Sequence, residues 1–375
     1  MKIETFKMER MQSVWENLVD YNISESGVHP IPFQELVSPE ELEKIRKMNL
    51  GYAQANGTPE LRETISRLYP GATIEQILVT AGSAEANFIL YWSNTEPGDE
   101  VILMLPNYMQ IWGILRCFGA NLKPLWLRES LNWAPDLDEL KKLVTNKTKR
   151  IIVCNPNNPT GAILSPEAME TIVNLADKVG AWIHSDEVYL GAELDGKETP
   201  SFWGKYDKVI VVNGLSKAYG LPGLRIGWMV GPDKDFIHHT WRYHEYTTIT
   251  VGILNDRLAQ IALSPDKREK NLNRTRNIIR RNLPILQSWL NKQDGIFQLI
   301  PPKAGAIAFP RYNLKINSTK LVNRLIHEKS VLIVPGDHFE MDHYLRFGLG
   351  GEEEYLLNAL ARIENTIKEI KEEEN

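Results

Sequence analysis

Lys217 stands eight residues before Arg225 in the segment NGLSKAYGLPGLRIGW, residues 213–228. An amine among small residues, followed by a glycine-rich turn and a guanidinium, suits a phosphate-bearing aldehyde held covalently. The amine forms a Schiff base with the aldehyde and the arginine grips the phosphate. Alone the segment decides little, because a lysine near a glycine is most often simply solvated. Further contacts for such a cofactor have to come from elsewhere in the chain.

Several other positions can supply them. Residues 81–87 (AGSAEAN) follow the apolar run ILVT, so Gly82, Ser83 and Ala84 open a helix directly behind a strand. Backbone N–H groups at a helix N-terminus bind phosphate, although the same residues also suit a plain serine-capped turn. Tyr108 follows VILML and can stack on a planar ring or serve as a rim tyrosine. The loop NPNNPTG, residues 155–161, carries two prolines and a glycine that fix its path and aim the Asn158 amide. Structural turns use the same residue types, but this loop is more elaborate than a tight connection requires. DEVY, residues 186–189, sets Asp186 at an apolar strand end, where a carboxylate is costly without a positive partner. A protonated pyridine nitrogen is one such partner; an N-cap aspartate beside a core tyrosine, Tyr189, is the plain alternative.

The elements that must position these residues alternate short apolar runs with helical patterns, the mark of an α/β fold with a mostly parallel sheet. Residues 77–80, 101–105, 151–154, 181–185 and 209–212 read as strands, and ligands on such sheets collect at the strands' carboxyl ends. Ser165 and Pro166 start a helix that runs to residue 179. Beyond residue 264 the pattern changes. A charged helix over 267–292, kinked by Pro284, precedes short strands at 297–299, 307–309, 331–334 and 344–347. That is the pattern of a smaller α+β domain. The tail from 352 reads as an amphipathic helix with Leu356, Leu357, Leu360 and Ile363 on one face and a fraying, solvated end. The expected organisation is an N-terminal arm (1–35) contributing to the small domain, a large domain (36–265) and a small C-terminal domain (266–375).

At 375 residues the chain exceeds what one hydrophobic core usually serves. Its formal charge of −5 argues against a general nucleic-acid binder. Cys117 and Cys154 stand apart from any CxxC or Cys/His cluster, so neither a disulfide framework nor a metal site is expected. The N-terminus lacks a secretory apolar core, and no run of eighteen apolar residues predicts a membrane span. A cytoplasmic protein is expected.

Taken in order, NPNNPTG, DEVY, SKAYGLPGLRIGW and a late YLRFG resemble the fold-type-I pyridoxal-phosphate enzymes, specifically the class I/II aminotransferase family. The resemblance runs from about residue 24 to 364, with family-like intervals of 28 residues from Asn158 to Asp186 and 31 from Asp186 to Lys217. It implies a sheet of the seven-stranded type and pyridoxal 5'-phosphate bound to Lys217 as a Schiff base. By the same resemblance Arg225 and the Gly82, Ser83 and Ala84 amides hold the phosphate, and Asp186 keeps the pyridine nitrogen protonated. Asn158 and Tyr189 bond the phenolic oxygen, Tyr108 stacks on the ring, and Arg346 forks onto the substrate α-carboxylate with Gly27 beside the substrate. Tyr52, in GYAQANGTPELR, matches the tyrosine that reaches a neighbouring subunit's phosphate, which implies a homodimer with shared sites.

The implied reaction moves an amino group from an L-amino acid to a 2-oxo acid by a ping-pong route. Lyase, racemase and side-chain cyclase chemistry on the same scaffold are the alternatives. A cofactor-sensing regulator is the remote one, since it needs a DNA-binding module ahead of the fold, where this chain has about twenty-five residues. Two departures stand out. Gly214 occupies the place of a phosphate-binding hydroxyl, which Asn213 or Ser83 would have to replace, and residues 246–263 lack the more usual glutamine-containing form.

Overall fold

Seven strands, most of them separated by helices, form the body of one sheet. These are β1 (Ile77–Thr80), β2 (Glu100–Leu105), β3 (Asn121–Arg128), β4 (Thr148–Cys154), β5 (Trp182–Asp186), β6 (Val209–Gly214) and β7 (Gly227–Val230). The computed structural model describes residues 2–374. Across the sheet the order is β1-β7-β6-β5-β4-β2-β3, continued by a two-residue edge strand, Ala134–Pro135. β6, β5, β4, β2 and β3 are mutually parallel. β7 runs antiparallel to both of its neighbours, and the edge strand runs antiparallel to β3. β1, β2, β6 and β7 are buried at every position. Continuous apolar strands are what a sheet covered on both faces requires, and each buried Ile, Leu or Val contributes about 1.5–3 kcal/mol.

The covering helices start and stop where their caps dictate. Pro166–Val179 opens with the Ser165 hydroxyl accepting from the Ala168 N–H and closes on Gly180, whose φ of 69° is left-handed. Pro265–Asn291 is one continuous helix through Pro284, and Ile279, Leu283, Leu286 and Leu290 bury one face on both sides of the proline.

Beyond it the strands are short. Ile307–Ala308, Leu345–Gly348 and Val334–Pro335 form one small antiparallel sheet, and Phe297–Gln298 pairs with Arg311–Tyr312. The single strand expected over 331–334 is two, since Val331–Leu332 instead pairs in parallel with Tyr21–Asn22 near the N-terminus. The start of the chain is thus bound to its last third, outside the main sheet.

The closing helix, Glu353–Glu374, buries Leu356, Leu360 and Ile363, but Leu357 is 47% exposed. A neighbour of a buried helical residue is turned about 100° from it, which carries Leu357 off the face. Within the end expected to be solvated, 368–375, Lys368, Glu372 and Glu373 are exposed and only Ile370 is buried among the described side chains. No helix among the described residues is long and apolar enough to cross a membrane.

Candidate active site

The carboxyl ends of β1, β2, β4, β5 and β6 open onto one cavity. Its lining includes Ser83, Ala84, Tyr108, Asn158, Asp186, Tyr189, Lys217, Arg225 and Arg346. Residues from distant stretches of the sequence therefore meet in one place.

The anion end is built on Arg225. Its Nη1 donates to the Ser216 hydroxyl at 3.3 Å and to the Pro222 carbonyl at 3.2 Å. Gly82, at the mouth of helix Ser83–Asn94, has a φ of 86°, and a Cβ there would lie 2.5 Å from Arg225 Nη2. Only glycine lets the helix N-terminus and the guanidinium converge on one anion. Gly82 itself backs the arginine and does not line the cavity.

The hydroxyl missing at Gly214 has a steric cause. A Cβ at that position would stand 3.0 Å from the Ile226 carbonyl oxygen and 3.2 Å from Gly227 Cα, on the adjacent strand β7. Ser83 and Ser216 face the cavity in its place. Asn213 does not; its side chain accepts from the Gly214 N–H at 2.7 Å.

Asp186 ends β5 fully inside the protein. Burial pushes its carboxyl up to about 6, against the Val188 N–H (3.2 Å), the Asn87 amide and the Lys217 charge. A carboxylate held this way gains from a cation placed before it. Next to it the buried Tyr189 hydroxyl lacks a well-formed hydrogen bond, with Ser26 nearby.

Asn158 reaches the same space because its loop satisfies its other asparagines internally. Asn157 Oδ1 accepts from the Thr160 hydroxyl (2.7 Å) and Asn155 Oδ1 from the Leu164 N–H (3.0 Å). Asn158 Oδ1 instead accepts from Arg346 Nη1 at 3.0 Å. Arg346 is 1% exposed; its Nη2 donates to the Ser24 carbonyl at 2.7 Å, and its Nε has no partner. Its guanidinium forms no ion pair with a carboxylate among the described residues, and burial lowers its pKa from the ordinary arginine value. A buried cation left unpaired is a strong pull on an incoming carboxylate.

Gly27 is drawn in as well, since a Cβ there would sit 3.7 Å from Lys217 Cδ and 3.2 Å from the Ser216 carbonyl oxygen. Tyr108 lines the cavity with its hydroxyl donating to Glu9 at 2.7 Å. Tyr52 is not brought to this site; it is 89% exposed on the surface of its own chain.

A glycine-and-arginine anion cradle, an amine, a desolvated carboxylate and an orphaned tyrosine hydroxyl together fit a phosphorylated pyridine aldehyde. The profile described as "Aminotransferase class I and II" matches residues 22–363. The chain belongs to that family. It is an enzyme of the pyridoxal-phosphate-dependent aminotransferase kind, and its large, mostly parallel sheet with flanking helices is the fold-type-I architecture.

Among similar proteins, capreomycidine synthase of Streptomyces vinaceus is 30% identical over 354 residues, covering 91% of this chain and 88% of that one. An aspartate aminotransferase of Thermotoga maritima is 27% identical over 349 residues, covering 91% and 89%. The crystal structure of a PLP-dependent aminotransferase from Streptococcus suis 89-1591 superposes with a TM-score of 0.91 at 34% identity, over 99% of each chain.

Asn87, Ser216, Ser24 and Ser26 were not singled out from the sequence. Asn87 had a usable signal, since it lies one helical turn after Ser83 on the same face. Ser216 adjoins the lysine. Ser24 and Ser26 act only through the meeting of the chain's two ends.

Proposed function

We propose that this aminotransferase binds pyridoxal 5'-phosphate and moves an amino group from an L-amino acid to a 2-oxo acid, in two half-reactions that share one site. The carrying observation is the buried, carboxylate-free Arg346 joined to Asn158 in the cavity that also holds Lys217 and Asp186. When bound, the cofactor supplies an electron sink conjugated to the substrate α-carbon.

The rest is done by the chain. Lys217 bonds the cofactor aldehyde, and Arg225, Ser83, Ser216 and the helix amides hold its phosphate. Asp186 keeps a proton on the pyridine nitrogen, Tyr189 and Asn158 hold the phenolic oxygen, and Tyr108 covers a ring face. Arg346 fixes the substrate α-carboxylate, which aligns the Cα–H bond. The freed Lys217 amine would then take that proton and return it to the former aldehyde carbon, two bonds from Cα. Residues 36–265 serve as the cofactor domain in this reading, with 1–35 and 266–375 closing over it. The unpaired cysteines accord with a cytoplasmic setting.

Initial rates varied in both substrates test the reading: parallel double-reciprocal lines and one oxo acid released per acceptor consumed are expected. Product formed without any acceptor favours the second reading, elimination, racemisation or side-chain cyclisation, to which the likeness to a synthase points. Arg346→Lys keeps the charge but loses the fork, so kcat/KM for amino donors is expected to fall about 10- to 100-fold. Unchanged kcat/KM would remove Arg346 from the carboxylate.

The exposed Tyr52 supports a homodimer in which it completes the partner subunit's phosphate site. Mixing inactive Lys217→Ala with impaired Tyr52→Ala protein then rebuilds one intact site per hybrid dimer, restoring up to about a quarter of full activity. No recovery in proven hybrids would exclude the shared site.

A further inference from the structure

The cavity is lined by two unlike sets of charges. Arg346 is buried, Lys217 half-buried and Arg225 exposed, and these three are the only lysines or arginines that line it among the described residues. Across the same space stand Glu9 and Glu16, on and just after helix Lys7–Trp15, and Glu25, which directly follows Ser24, whose carbonyl Arg346 holds. Lys7 of the same helix pairs with Glu340 at 3.7 Å instead. Glu9 is held only by the Tyr108 hydroxyl, and none of the three carboxylates forms an ion pair among the described residues. The Glu16 carboxyl is pushed above its ordinary value by partial burial and by the charges of Glu25 and Glu9. Three like charges crowd one side of the cavity; the buried Arg346 feels Glu25 and Glu9 through space but pairs with neither, its guanidinium being spent on Asn158 and Ser24.

That the space awaits a ligand rests on separate observations. The Tyr189 hydroxyl and the Arg346 Nε are buried and unpartnered in the same cavity. On the function proposed above, on which this inference rests, Lys217 and Arg225 are committed to the cofactor and Arg346 to the α-carboxylate. The group left to meet the three glutamates directly is the one projecting from the substrate α-carbon. A distal carboxylate would meet repulsion there, and no further arginine lines the cavity to hold one.

We propose that the amino substrate carries a cationic side chain, an ammonium or guanidinium on a flexible apolar stem. The stem passes the buried Met8 and the Tyr108 ring, and the charge ends among Glu9, Glu16 and Glu25. Helix Lys7–Trp15 is fixed for this role by Gln12, whose side-chain amide donates to the Ser24 hydroxyl at 2.9 Å and the Ser24 carbonyl at 3.2 Å. That carbonyl is the one held by Arg346, so the carboxylate fork and the acidic side are tied to one point.

The test titrates the cofactor-loaded enzyme with matched amino acids and reads binding from the visible spectrum, with kcat/KM measured alongside. The pairs are L-arginine against L-citrulline and L-lysine against L-norleucine, with L-aspartate and L-glutamate as acidic probes. One cationic member is expected to bind about tenfold or more tightly than its neutral counterpart, with the acidic probes weakest. In the double variant Glu16→Gln, Glu25→Gln that preference collapses, while L-norleucine binding stays within about twofold. Equal binding within both pairs, tighter binding of the acidic probes, or a preference intact in the variant would overturn the proposal and leave the transaminase reading standing. Failure of every amino acid to perturb the cofactor spectrum would overturn both.

Discussion

Lys217→Ala is expected to fold, to lose the visible absorbance of a covalently held cofactor and to turn over more than about 10⁴-fold more slowly. The size of the effect follows from the lysine acting twice, as the amine that bonds the aldehyde and as the base that moves the Cα proton. The protein should survive the change because the residue is only half-buried and forms no ion pair among the described residues. The anion cradle of Arg225, Ser83 and Ser216 remains, so phosphate affinity should persist while covalent capture is gone. Borohydride reduction followed by peptide mass spectrometry separates these. In the wild type the reduced cofactor adduct maps to Lys217; in the variant no residue carries it. An unchanged spectrum with full turnover would place the chemistry on another residue.

How much of this was legible depends on the distance over which each contact acts. Asn158, Asp186 and Lys217 could be read because each follows or ends a strand whose apolar run is visible, and Arg225 because it stands eight residues after Lys217 across a glycine-rich turn. Strand β7 could not, because Gly227–Val230 directly continues the arginine motif and lacks a boundary of its own. Its antiparallel pairing with β6 also supplies the reason for Gly214, a contact between neighbouring strands that no local pattern announces. The acidic side of the cavity was invisible for a similar reason. Glu9, Glu16 and Glu25 belong to a segment that looks solvated until Tyr21–Asn22 pairs with Val331–Leu332 and Ser24 meets Arg346, 322 positions later. Leu357 shows the reverse error, an apolar residue assigned to a face that the helical turn denies it.

Asp186→Asn is expected to move activity and stability in opposite directions. Turnover should fall by about 10²–10³-fold, since an amide holds no proton on the pyridine nitrogen and leaves the developing charge unsupported. The cofactor-free protein should become more stable at pH 8. Burial raises the folded-state pKa of Asp186 to about 6, and its neighbour Glu187 is raised to about 7 although Ser185 and Ser201 donate to it at 2.9 and 2.8 Å. A raised carboxyl binds its proton more tightly folded than unfolded. Its favourable contribution is therefore present at low pH and lost as pH climbs from the ordinary carboxylate range through 6 and 7. Asparagine at 186 removes that loss, a gain of up to about 3 kcal/mol above pH 7 that vanishes near pH 4. Cofactor binding reverses the balance, because a protonated pyridine nitrogen gives the wild-type carboxylate the partner it lacks. The cofactor should thus raise the melting temperature of the wild type more than that of the variant. Thermal melts at pH 4 and pH 8, with and without cofactor, check all of this. If Asp186 were only a structural cap, the substitution would lower stability at both pH values and leave the gain from cofactor untouched.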